Sequence, residues 1–137
     1  MDDYEAIRQL KARYFRFLDT KDWVGLRRLF CDDVVMDSTG SGGETITGAD
    51  EFIAFLTPRI AEAITVHHGH TPEIELLSPT TARGIWAMED LLIWPNGARL
   101  NGFGHYHETY EKSDGGWRIK SQELTRLQLD FTPPADA

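Results

Sequence analysis

At 137 residues the chain is the size of one domain, able to bury about 68 % of the surface its unfolded form would expose. Its formal net charge of −8, with acidic residues spread along the chain and no basic stripe, argues against a nucleic-acid partner and otherwise predicts solubility. The single cysteine, Cys31, rules out an intrachain disulfide, and no apolar run approaches the ~18 residues of a membrane span, so no membrane partner is expected.

The N-terminal stretch MDDYEAIRQL is acidic and amphipathic, unlike a secretory signal, and the expected setting is cytoplasmic. From there Ile7, Leu10, Tyr14, Phe17 and Leu18 recur every three or four residues and predict a first helix, with acidic residues at its positive end. DWVGLRRLF predicts a second, short helix capped by Asp22. Cys31 follows its apolar face and reads as a small packing residue rather than a nucleophile.

DVVMDS alternates as a short strand, and the glycine-rich TGSGGETITG reads as a hairpin connection. It lacks the Gly-Lys-Ser/Thr ending of a phosphate-binding loop. ADEFIAFLTPRIAEAI places Phe52, Ile53, Leu56 and Ile60 on one helical face, with Pro58 as a kink or break.

The period then changes to two. Four strands are predicted, at about 65–77, 81–94, 98–112 and 116–130, separated by Ser78-Pro79-Thr80, Pro95-Asn96-Gly97 and Asp114-Gly115-Gly116. Short turns make them antiparallel neighbours. The expected result is an α+β domain over residues 1–131, a curved antiparallel sheet with helices on one face, followed by a flexible tail at 132–137. A curved sheet covered by helices leaves a hollow suited to a ligand.

In TVHHGH, strand alternation sends His68 and His70 one way and His67 the other. His105 and His107 form another same-face pair. Two such pairs on neighbouring strands could hold zinc, but surface imidazoles explain them as well, and no metal or other cofactor is expected. A single imidazole oriented by a carboxylate is a simpler use of the motif. Asp19, near the end of the first helix, could supply that carboxylate or could be a plain helix-end residue. Trp86, Met88 and Asp90 share one face of their strand, as do Leu124 and Arg126 of theirs. A buried charge must be paired, so Asp90 and Arg126 are expected either to join or to sit at a wet rim.

The stretches YFRFLDTKDWVGLRRLFCDDVVMD, VHHGHTPEIEL, ARGIWAMED and GHYHETYEKSDGGWRIK resemble, over nearly the whole chain, the SnoaL-like division of the nuclear transport factor 2-like superfamily. The resemblance implies an α+β cone, a curved mixed sheet wrapped by about three helices around a deep pocket. Within the superfamily the residues are similar to the bile-acid 7α-dehydratases, scytalone dehydratases and hexachlorocyclohexane dehydrochlorinases, cofactor-free lyases that use a His held by an Asp. That similarity implies His67 and Asp19 as the dyad, with Tyr14, Asp90 and Arg126 as further catalytic residues. The first-strand tyrosine of the bile-acid enzymes is missing, since VVMDST has Ser38 or a neighbour there.

The implied activity is a dehydratase-like elimination, with Tyr14 hydrogen-bonded to the oxygen that gains charge. Trp86, Met88, Tyr106 and Leu124 would form the wall for a small apolar, ring-containing substrate. An isomerase or cyclase of the same fold, or a binding protein without catalysis, are the alternatives. Apolar residues on both faces of the strands, for instance Ile85 with Trp86, predict a homo-oligomer, trimer or dimer.

Overall fold

The computed structural model describes residues 1–135. The long first helix, α1 (Asp3–Asp19), is opened by Asp2, whose carboxylate accepts the Glu5 N–H at 2.8 Å. Helix α2 (Trp23–Arg27) is capped as expected by Asp22, which accepts the Gly25 N–H at 2.9 Å. Strand β1 (Phe30–Asp37), a single 3-10 turn at Thr39–Ser41 and strand β2 (Thr45–Thr47) form the glycine-rich hairpin. Helix α3 (Ala49–Ile60) contains Pro58 in its last turn and ends two positions after it.

Four long strands follow: β3 (Ile64–Leu76), β4 (Thr81–Ile93), β5 (Arg99–Ser113) and β6 (Gly116–Thr132). Each bound lies within two residues of the sequence expectation. β6 runs one residue into the expected tail, and the Ala135 N–H reaches the Asn96 carbonyl at 3.3 Å. Residues 136 and 137 of that tail lie outside the described residues.

The six strands form one curved, unclosed sheet in the order β2-β1-β6-β5-β4-β3. One expectation needs correction. The sheet is mixed, as the family resemblance implied, and not the wholly antiparallel one expected from the short turns, because β1 pairs with β6 in parallel, Val35 opposite Ser121 and Met36 opposite Gln122. Alternation within β1 predicts its faces but carries no information about which distant strand it joins. The helices cover one face, called inner here, and the main core lies beneath them. Ile7, Leu10, Leu18, Leu26, Phe30, Phe52 and Ile119 are among its members. No helix among the described residues is long and apolar enough to cross a membrane.

Candidate active site

Alternation along β3 places Thr65, His67 and Gly69 on the inner face. The end of α1 lies over that strand and delivers Asp19 to it. One carboxylate oxygen of Asp19 accepts the His67 backbone N–H at 2.8 Å, and the other sits 2.7 Å from His67 Nδ1. Thr65 donates its hydroxyl to the same oxygen at 3.0 Å. The structure therefore brings Asp19 and His67 together, and Asp19 is a helix-end residue as well. With Nδ1–H pointed at a carboxylate, the imidazole lone pair belongs to Nε2, on the inner side of the sheet. His67 is only 8 % exposed.

Opposite His67 in the ladder stands Asp90 on β4. Its carboxylate lies 4.0 Å from His67 Nε2 and is gripped in bidentate fashion by Arg126, at 2.8 and 2.9 Å. Both partners are buried, so they form a desolvated pair and not a rim contact. The third direction of the guanidinium is used too, because Nε donates to the Ser41 hydroxyl at 3.0 Å. Gly102 makes room for this arrangement, since a Cβ there would stand 2.7 Å from Arg126 Nη1. Ser38 does not replace the absent tyrosine. Its hydroxyl bonds the Glu44 carbonyl inside the hairpin, while Met36 is the buried residue at that end of β1.

A second polar cluster was not foreseen. Lys11 is fully buried, donates to Glu108 at 2.7 Å, and lies 3.7 and 3.8 Å from the centroids of the Tyr14 and Tyr106 rings. Glu108 also accepts the Gln122 amide at 2.6 Å and the Tyr110 hydroxyl at 2.7 Å; Tyr110 in turn accepts the Trp86 indole N–H at 2.9 Å. Because the Gln122 NH2 must face a carboxylate, its oxygen faces Tyr14, whose hydroxyl donates to it at 3.3 Å. A signal for Lys11 exists in the sequence, as residues 7, 11, 14 and 18 share one helical face; Glu108 likewise alternates with Tyr106 and Tyr110. Burial pushes the Lys11 amine down to about 8, with the Glu108 charge opposing it. Burial, then Glu108, raises the Tyr14 phenol, and burial raises that of Tyr106. All three groups are costly to charge in this interior.

Trp86, Met88 and Tyr106 are buried on the inner face, and Leu124 is half-buried beside them. Phe15 fills the space over Gly69, where a Cβ would lie 2.6 Å from its ring. The inner face is thus closely packed at Gly69. An open concavity of about 860 Å3 lies on the outer face, lined by residues such as Val35, Glu73, Arg83, Ile85 and His107. It lies on the opposite side of the sheet from the Asp19–His67 pair. The remaining histidines share that outer face. His68 and His70 approach Glu89 at 3.8 and 3.2 Å, and His107 pairs with Thr125 at 3.0 Å.

Residues 1–123 match a family model described as a SnoaL-like domain. A protein of Gibberella zeae described as a candidate cyclase is 26 % identical over 133 residues, 88 % of this chain and 89 % of its own length. Among solved structures, a candidate scytalone dehydratase of Novosphingobium aromaticivorans superposes with a TM-score of 0.84 at 23 % identity, covering 93 % of this chain and 85 % of that one. A type 2 hexachlorocyclohexane dehydrochlorinase gives 0.81 at 19 %, covering 95 % and 88 %. At such identities the likeness to the two structures shows the fold, the nuclear transport factor 2-like α+β cone that the sequence resemblance implied.

Proposed function

The chain belongs to the SnoaL-like domain family, and on that premise we propose that it is a cofactor-independent lyase of the dehydratase type. The observation that carries the reading is the dyad: Asp19 holds His67 by both Nδ1 and backbone N–H, and Nε2 is left free on the buried face. His67 Nε2 takes a proton from a carbon beside an activating carbonyl. The C–H electron pair becomes the new double bond, and the C–O bond to the neighbouring hydroxyl breaks. Protonated His67 returns the proton to the departing hydroxide, which leaves as water.

Asp90 suits the imidazolium that forms, since its carboxylate is 4.0 Å from Nε2. Both of its oxygens accept from Arg126, so the proton for the leaving hydroxyl is assigned to His67. Arg126 is occupied by Asp90 and Ser41, and therefore anchors the site instead of an anionic substituent. The long 3.3 Å bond from Tyr14 to Gln122 is the one a substrate oxygen can displace with least loss, which gives Tyr14 its role as donor to the developing charge. Trp86, Met88, Tyr106 and Leu124 supply apolar wall for a small, neutral, alicyclic substrate of steroid or polyketide character.

The cyclase description of the Gibberella zeae protein favours a second reading, in which the same proton transfer closes or isomerises a ring and nothing leaves. Incubation with neutral cyclic β-hydroxy ketones, followed by mass spectrometry, separates the readings. A product lighter by one water supports the lyase; a product of unchanged mass supports the isomerase or cyclase. A ligand bound and recovered unaltered would leave a binding protein.

The outer sheet face also supports a homo-oligomer. Phe103, Val66 and Ile85, 45 %, 37 % and 36 % exposed, are apolar residues of that face on three different strands.

A further inference from the structure

Helix α1 ends with the Lys21 N–H on the Leu18 carbonyl at 3.2 Å and the Asp22 N–H on the Phe17 carbonyl at 2.8 Å. That pair of bonds closes helices around one left-handed residue just past the cap, a place normally given to glycine. Here the residue is Lys21, at φ 62°. A side chain in that conformation crowds its own carbonyl, a strain that glycine avoids. What the lysine provides in return is a contact. Its ammonium donates to the Thr65 hydroxyl at 2.6 Å, on a residue only 5 % exposed.

The direction of the chain of bonds beyond that point is forced. An ammonium cannot accept, so the Thr65 oxygen receives the Lys21 proton and must spend its own single proton on Asp19. Asp19 then accepts three hydrogen bonds, from Thr65, from His67 Nδ1 and from the His67 backbone. Every one of them suits the carboxylate. None leaves a donor on Asp19 with which to pair a deprotonated Nδ1.

We infer that Lys21 and Thr65 are positioning residues for the dyad: a relay from Lys21 through Thr65 to Asp19 fixes the Nδ1–H tautomer of His67 and moderates its basicity. This rests on the reading of His67 as the base. The charges facing the imidazole are Asp19 from α1, Asp90 from β4, Arg126 from β6 against Asp90, and Lys21 from the turn after α1; the Tyr14 phenol adds no charge. Two carboxylates favour the imidazolium and two cations oppose it. Arg126 is spent on Asp90, which leaves Lys21 as the balance to Asp19. Burial lowers the Lys21 amine while Asp19 raises it, as expected of a cation coupled to that carboxylate.

The test is the titration of His67 followed by imidazole nitrogen NMR, which needs no substrate, in the wild type and in Lys21→Met, Lys21→Gly and Thr65→Val. Loss of the Lys21 charge raises the His67 midpoint by about half a pH unit or more in both lysine variants. Thr65→Val raises it as well, because Asp19 loses a donor. Lys21→Gly melts at or above the wild-type temperature, since glycine relieves the backbone. An unchanged or lowered midpoint in the lysine variants overturns the relay and leaves Lys21 as a helix terminator. A wild-type His67 carrying its proton on Nε2 would instead overturn the dyad reading, a distinct result.

Discussion

Asp19 and His67 lie 48 residues apart in the chain and are joined twice, once through the imidazole and once through the backbone of the same histidine. The second bond matters as much as the first. It ties the carboxylate to the strand that carries the imidazole, so Asp19 stays beside residue 67 even when the side chain there rotates or is truncated. His67→Ala is expected to lower turnover by about 10²–10⁴-fold, the usual contribution of a positioned base. Asp19→Asn should lose a similar factor while keeping its fold, because an amide can still accept from the backbone N–H. Steady-state rates beside melting curves check this, and near-wild-type turnover in both variants contradicts it.

The buried Lys11–Glu108 pair predicts non-additive stability. Lys11→Met leaves Glu108 desolvated without its cation and should cost about 3–5 kcal/mol. Glu108→Gln strands the lysine in the same way. The double variant should be more stable than either single one, because no unpaired charge then remains in the interior. Denaturant titration of the four proteins is the measurement, and additive losses would show that the pair does not couple.

Stability should also depend on pH in a defined sense. Burial holds the Lys11 amine near 8, against 10.5 for a free lysine. Between those values the unfolded chain binds a proton that the folded chain has released, so this group makes stability rise with pH. The phenols act oppositely. Burial raises Tyr14, Tyr106 and Tyr110 above 10, so the unfolded chain loses those protons first and stability falls beyond that pH. Urea midpoints are expected to climb above pH 8 and turn down above about 10. Lys11→Met should abolish the climb alone.

Gly102→Ala tests the seat of Arg126. The added Cβ would stand 2.7 Å from Arg126 Nη1 and 2.9 Å from the Gln128 carbonyl. The carbonyl is backbone and cannot swing aside, so the guanidinium must move off Asp90. A loss of about 1–3 kcal/mol is expected, with turnover reduced further than the thermal shift alone explains. Unchanged kinetics would separate the Asp90–Arg126 pair from catalysis.

If the outer face is an interface between copies, Phe103→Glu should convert an oligomer to a monomer without unfolding it. Light scattering at micromolar concentration decides, and a monomeric wild type would remove the proposal.

The amino-acid pattern alone determined the elements, because periodicity reports which face of each segment is buried. It placed the four long strands within two residues of their bounds, named Asp22 as a cap, and separated His67 from His68 and His70 by alternation. The resemblance to SnoaL-like proteins added the dyad, which spacing left open between an acid and a plain helix end. Contacts between distant segments were decided only in three dimensions. The parallel union of β1 with β6, the burial of Lys11 against Glu108 and the return of Lys21 to Thr65 each join residues more than 40 positions apart. Local pattern says which way a side chain faces, but the partner it meets depends on how the helices settle on the sheet, and that is fixed by packing of the whole core.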